Sequence, residues 1–176
     1  MAGWPIIKGK AAKFGGMDRV NEWVQLLNMN PHPEGGYYAE TYRSSFLTDT
    51  PGGPRPVATS IYFLLTAGNF SAFHRIVSDE GWHHYEGDPV FIHTISPEGK
   101  YQCLQLGKDI AVGERPQAMV PGGFWFASEC KGPLGYALVG CTVSPGFDFK
   151  DFELADRDDL LRRYPTLSVL IERLTR

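Results

Sequence analysis

Between residues 57 and 143 the chain is a succession of short apolar and aromatic runs, each closed by turn residues, with no helical period among them. The runs are VATSIYFLL (57–65), SAFHRIV (71–77), GWHHYE (81–86), PVFIHTIS (89–96), YQCLQL (101–106), AMVP (118–121), GFWFAS (123–128) and YALVGCTV (136–143). Breaks such as AGN, SDE, GD, PEGK and PGG separate them. Parallel strands need crossover connections of a dozen or more residues, usually helical. None is available here, so the spacing predicts an antiparallel sandwich or a closed barrel.

The flanks read differently. Val20, Trp23, Val24 and Leu27 recur at helical spacing, which predicts an amphipathic helix over residues 18–29 with Asp18 as its cap. Pro31 and Pro33 stop it, and an extended segment follows from Tyr37 to Tyr42. LTDTPGGPRP (47–56) is a loop, since three prolines and two glycines permit little else. At the other end Asp156 caps DRDDLLRRY, whose early acids and late arginines suit the helix dipole. Pro165 closes that helix, and TLSVLIERLTR supplies a second. Residues 1–16 carry three lysines and no acid, without a cleavage pattern, and are expected to be a flexible arm ahead of a single domain over 17–176.

With 17 basic and 20 acidic residues, a net charge of −3 and no block of like charge, nothing points to a nucleic-acid polymer as partner. The longest apolar run, Ile61 to Leu65, is far too short to cross a bilayer, so the expected setting is the cytoplasm. Cys103, Cys130 and Cys141 are odd in number and contain no C-x-x-C pair, which favours reduced, packed thiols.

The chemistry-bearing residues gather in GNFSAFHRIVSDEGWHHYEG (68–87), which holds three of the five histidines together with Glu80 and Glu86. On adjoining barrel strands such a cluster can converge in the barrel mouth. Strand alternation puts Glu80, Trp82 and His84 on one face and His83 on the other, unless a bulge at Gly81 exchanges them; His83 and His84 both remain candidates.

Gly68, His74, Glu80 and Gly87 follow the spacing of the first cupin motif, with Ile76 where its second histidine belongs. Pro121-Gly122-Gly123 resembles the core of the second motif, with Phe126 at its histidine position. Closer still, HPEGG (32–36), SIYFLL (60–65), FHRIVSDEGWH (73–83), GERP (113–116), VPGG (120–123) and VSPGFDF (143–149) resemble the DUF985 or Cupin_5 branch of that superfamily. The resemblance implies a mainly β double-stranded β-helix, an RmlC-like jelly roll with one N-terminal and two C-terminal helices. It also implies a small organic ligand, carbohydrate or nucleotide-sugar-like, inside the barrel. Like the metal-free cupin epimerases, an isomerase of this kind would use His74 as base, oriented by Glu80, and Tyr62 as acid, requiring no cofactor. Ligand-binding candidates are Tyr37, Glu40, Arg43, Trp82, His83, His84, Trp125 and Phe126. The alternatives are a metal-dependent cupin enzyme holding a divalent ion on His74, Glu80 and His83, and a non-catalytic binder or storage-like protein. Cupins often pair through N-terminal strands, so residues 37–46 are the expected interface of a homodimer.

Overall fold

The computed structural model describes residues 16–176; the arm expected over residues 1–16 lies, but for Gly16, outside them. Gly16 in fact opens the first helix, α1 (Gly16–Leu26). Asn28, at φ 50°, turns the chain out of that helix, three residues before Pro31. Thirteen strands follow: β1 (Asn30–Pro31), β2 (Tyr37–Arg43), β3 (Leu47–Thr48), β4 (Arg55–Pro56), β5 (Thr59–Thr66), β6 (Phe70–Ile76), β7 (Asp79–Gly87), β8 (Val90–Ile95), β9 (Tyr101–Leu106), β10 (Gln117–Val120), β11 (Trp125–Cys130), β12 (Tyr136–Ser144) and β13 (Phe152–Leu154). Helices α2 (Arg157–Arg163) and α3 (Ser168–Leu174) close the chain. Asp156 caps α2 by accepting from the Asp159 amide at 2.9 Å, as its sequence predicts.

Every strand pair is antiparallel. One sheet runs β1-β2-β5-β12-β7-β10 and the facing one β13-β6-β11-β8-β9, the order of a jelly roll. The eight runs read from sequence all form strands. The four short strands β1, β3, β4 and β13 escape that reading, because two or three residues carry no period.

Alternation divides each strand between an inner and an outer face. Phe63, Leu65, Ile76, Trp82, Ile92, Phe126, Val139 and Cys141 fill the space between the sheets. Phe73, Ile95, Trp125 and Ala127 face outward and are covered by Leu160, Ile171 and Leu174 of the C-terminal helices. Leu64 and Leu138 face outward on the other sheet, under Val20 of α1. Both sheets thus keep their outer apolar residues dry, which a bare two-sheet sandwich does not. No helix among the described residues is long and apolar enough to cross a membrane.

Candidate functional site

The inner space is packed at one end and hollow at the other. At the packed end Trp82 meets Phe63 at 5.8 Å and Phe126 at 6.5 Å between ring centroids, both edge-on; the hollow is a cavity of about 420 Å³ that these rings do not line. His74, Ile76, Glu80, Cys141 and Val143 line it from the barrel strands. His32 and Glu34 enter from the β1–β2 loop, and Phe147, Asp148, Phe149 and Phe152 from the segment after β12. Tyr38, Glu40, Arg43, Thr59 and Ile61 complete the wall.

The β1–β2 loop explains how a carboxylate from outside the barrel strands reaches its interior. The Gly35 amide donates to the His32 carbonyl and the His32 amide to the Gly36 carbonyl, both at 3.0 Å, and the Glu34 carbonyl accepts from Ala72 at 2.8 Å. Gly35 has φ +116°, and a Cβ there would stand 2.1 Å from the Phe70 carbonyl oxygen. Only glycine fits that approach. The loop is therefore pressed against β6, and the Glu34 side chain, only 8% exposed, is driven inward.

There Glu34 Oε2 lies 3.0 Å from His74 Nε2 and 3.7 Å from His32 Nδ1. His74 Nδ1 is 2.8 Å from the Ala72 carbonyl, which only accepts, so Nδ1 carries a proton. Nε2 then donates to Glu34 when the ring is charged. Burial disfavours the charged imidazole, but the attraction of Glu34, its hydrogen bond, and the pull of Glu80 outweigh burial and hold the pKa of His74 above its ordinary value. Burial likewise pushes Glu34 upward, and the charge and hydrogen bond of His74 reverse this, leaving Glu34 below the usual carboxylate range. The two form a buried carboxylate–imidazolium pair. His32 stays neutral, because burial lowers its pKa more than Glu34 raises it. The Glu34 amide donates to its Nδ1 at 3.3 Å, so its proton sits on Nε2.

Glu80 is the contrasting carboxyl. Burial raises it first and the neighbouring Glu34 charge raises it further, against the pull of His74 and a hydrogen bond with Cys141, so that it titrates at about 7. Burial also pushes the Cys141 thiol well above its ordinary value, with Glu80 adding to the shift, so it remains a thiol. Two carboxyls in one cavity with pKa values driven apart are the usual mark of divided acid and base roles.

Of the residues singled out in the sequence, His74, Glu80, Glu40 and Arg43 border the cavity. Arg43 grips Glu40 through two contacts of 2.6 and 3.0 Å and donates to the Phe147 carbonyl at 3.0 Å. The others lie elsewhere. Tyr62 and Tyr37 sit on the outer face, against the cluster under α1. Trp125 is also outward, with the Arg75 guanidinium 4.6 Å above its ring. Trp82 and Phe126 belong to the packed core and do not line the cavity.

His83 faces outward, 3.4 Å from Thr142 Oγ1. Alternation holds through Gly81, and the bulge falls at Tyr85, between the Val139–His84 and Leu138–Glu86 pairs. His84 is therefore buried, but towards the packed end, with Nε2 2.9 Å from the Asp88 carbonyl. The aromatic wall comes instead from Phe147, Phe149, Phe152 and Tyr38. The residue that orients His74 is Glu34, which is not among the candidates singled out in the sequence. The signal in HPEGG is an acid followed by two glycines, both of which the β1–β2 turn holds at positive φ.

The metal alternative fits this donor set poorly. His83 points away, both His74 nitrogens are engaged, and Ile76 and Phe126 occupy the remaining motif positions, the Phe126 ring centroid 4.0 Å from that of His74. Among the described residues no group of three or more His, Cys, Asp and Glu side chains is arranged to hold a metal ion.

A jelly roll with a polar, open-ended hollow between its sheets defines a cupin. The chain belongs to the cupin superfamily family DUF985 (Cupin_5), whose model matches residues 21–155. It is similar to a hypothetical protein from Leishmania major, at 38% identity with a TM-score of 0.84, over 88% of this chain and 97% of that one. Protein SO0799 from Shewanella oneidensis is 44% identical with a TM-score of 0.82, over 89% and 96% of the two chains. The uncharacterised protein YML079W of Saccharomyces cerevisiae is 31% identical over 159 residues, 81% of this chain and 76% of its own. Oxalate decarboxylase from Bacillus subtilis, at 12% identity and a TM-score of 0.53, shares the fold alone.

Proposed function

We propose that the cavity binds a small organic hydroxy-carbonyl compound and exchanges a proton with it, as an isomerase or epimerase does. The observation that carries this reading is Glu80: a carboxyl 8% exposed, lining the cavity and titrating at about 7. A group half-protonated at neutral pH both accepts and donates with little driving force lost, which is what proton transfer at carbon needs. In the simplest cycle Glu80 takes a proton from the carbon next to the carbonyl and returns it to that carbon or its neighbour, so nothing is consumed.

The role first expected of His74 shifts accordingly. With Nδ1 on Ala72 and Nε2 on Glu34, it has no free nitrogen for a substrate, and it acts by fixing Glu34 and placing positive charge at the cavity floor. Tyr62, on the outer face, is not part of this cycle. Carbohydrates remain a fitting class. Nucleotide-sugars fit less well, because four carboxyl groups and only two cationic side chains border the space.

The test is deuterium uptake. Candidate hydroxy-carbonyl compounds are incubated with the protein in D2O, and label at the carbon next to the carbonyl is followed by NMR. Uptake lost in Glu80→Gln while binding persists supports the reading. Uptake undiminished in that variant refutes it, and binding without uptake in the unaltered protein points to a non-catalytic binder.

A further inference from the structure

Charge inside the cavity is not balanced. Glu34 is matched by His74 and Glu40 by Arg43, while His32 is held neutral. Glu80 and Asp148 make no salt bridge among the described residues, one deep in the cavity on β7 and the other on the segment that forms its outer wall. There Asp148 accepts from the Lys150 amide at 2.9 Å and feels Arg43 and Arg55 only at longer range.

That same segment brings the aromatic rings. Phe147 and Phe149 meet edge to face at 5.0 Å, Phe152 lies 6.2 Å from Phe149 and 6.3 Å from Phe147, and all three line the cavity. Rings attract cations through their faces, and unpaired carboxylates in a partly dry pocket attract them by charge. An anion would meet repulsion from Asp148 and would press Glu80 to hold its proton, gaining no charge partner from either. An uncharged ligand would leave them as they are.

We propose that the ligand of this cavity carries a positive charge: it is a small organic ammonium compound, held between the carboxylates of Glu80 and Asp148 and the rings of Phe147, Phe149 and Phe152. The inference rests on the cavity being the ligand site, and it narrows the hydroxy-carbonyl class to amine-bearing members.

A consequence separates this from loose attraction to an acidic surface. Glu80 is faced by His74 from β6, Glu34 from the β1–β2 loop and Cys141 from β12, and it is still half-protonated near neutral pH largely because it is buried. A bound cation favours its ionised form and expels that proton. Binding therefore strengthens as pH rises through about 7, the value at which Glu80 titrates.

The experiment uses the full chain, a chelator throughout, and four probes followed by NMR titration. Choline carries a permanent charge, 3,3-dimethylbutan-1-ol has its shape without the charge, 3,3-dimethylbutanoate is the matching anion, and glucose is an uncharged sugar. Choline is expected to bind at least about tenfold more tightly than the alcohol, with the carboxylate weakest. Its affinity is expected to rise from acid to alkaline pH in the unaltered protein, and to stay flat in Glu80→Gln. An alcohol or a carboxylate that binds as well as choline overturns the proposal, as does a pH response that survives Glu80→Gln. Binding of glucose alone overturns the cation and leaves the proton-exchange reading standing. Silence towards all four probes overturns both.

Discussion

Replacing Glu80 by glutamine should make the protein more stable, and by an amount that depends on pH in a defined way. The carboxyl titrates at about 7 when folded, against an ordinary 4.5. Between those values the unfolded chain has released a proton that the folded chain still holds, so stability falls as pH rises from 4.5 to about 7 and levels off above. A shift of this size corresponds to about 3 kcal/mol. Glutamine is uncharged at every pH, and its side-chain oxygen can still accept from Cys141. The variant and the unaltered protein should therefore match near pH 4 and diverge to about 3 kcal/mol by pH 8, or about 6–12 °C in melting temperature for a chain of this length. Thermal unfolding followed by circular dichroism across that pH range reads the effect directly. Parallel curves for the two proteins would refute the reasoning, because they would mean that Glu80 is as comfortable ionised inside as in water. The trade is the one expected where a group is kept for chemistry at the expense of the fold.

Glu34→Gln should do the opposite, costing about 2 kcal/mol in urea unfolding, less than a broken buried pair because His74 can shed its proton. His74 has a raised pKa and contributes fully below 6.5, while Glu34 has a lowered one and contributes fully above 4.5. The deficit should therefore peak between these values and shrink at alkaline pH. A deficit independent of pH would contradict the ion pair. Phe149→Ala should change stability by less than about 1 kcal/mol, since that ring is 54% exposed, yet weaken binding of whatever ligand the cavity takes by about tenfold; equal affinity would remove Phe149 from the site. Beyond Tyr38, β2 has no partner strand on its outer side among the described residues, so a dimer built on residues 37–46 is proposed. Light scattering should give twice the mass of one chain, and the mass of one chain would dismiss it.

How far the sequence discloses this arrangement follows from what a local pattern can encode. The β core is legible because alternation and turn residues repeat eight times, and His74 and Glu80 because their spacing places them on successive strands, which the structure sets in opposite sheets facing each other across the barrel. Parity groups Glu80, Trp82 and His84 on one face, but it took the structure, with its bulge at Tyr85 rather than Gly81, to decide between that face and the one bearing His83. Parity does not say how high along the barrel a side chain sits, and that height puts Glu80 on the cavity and both Trp82 and His84 away from it. Nor does it distinguish the core face from an outer face that helices also bury. Tyr62 and Trp125 look as apolar in their strands as Phe63 and Phe126 do. The decisive partner, Glu34, lies in a loop, and the wall residues Phe147, Phe149 and Phe152 lie in the irregular segment after β12 and at the start of the short β13. The paths of both are set by contacts such as the Gly35 approach to Phe70 and the Arg55–Asp151 pair at 2.6 Å.

The motif positions filled by Ile76 and Phe126 raise the question of whether a metal site was simply lost. Glu34 argues that it was replaced. A carboxylate buried beside Glu80 needs a nearby positive charge, which a divalent ion would provide and the imidazolium of His74 provides instead. Restoring histidine at both positions should then be insufficient, because Glu34 would still hold His74 Nε2 at 3.0 Å and keep it protonated. Ile76→His with Phe126→His should bind manganese weakly in calorimetry, and adding Glu34→Ala should tighten binding by an order of magnitude or more by freeing that nitrogen. Tight, stoichiometric manganese in the double variant would show that the pair yields readily and that its charge is not what organises the cavity. Equal weakness in the triple variant would show that the barrel backbone, rather than Glu34, denies the metal its geometry.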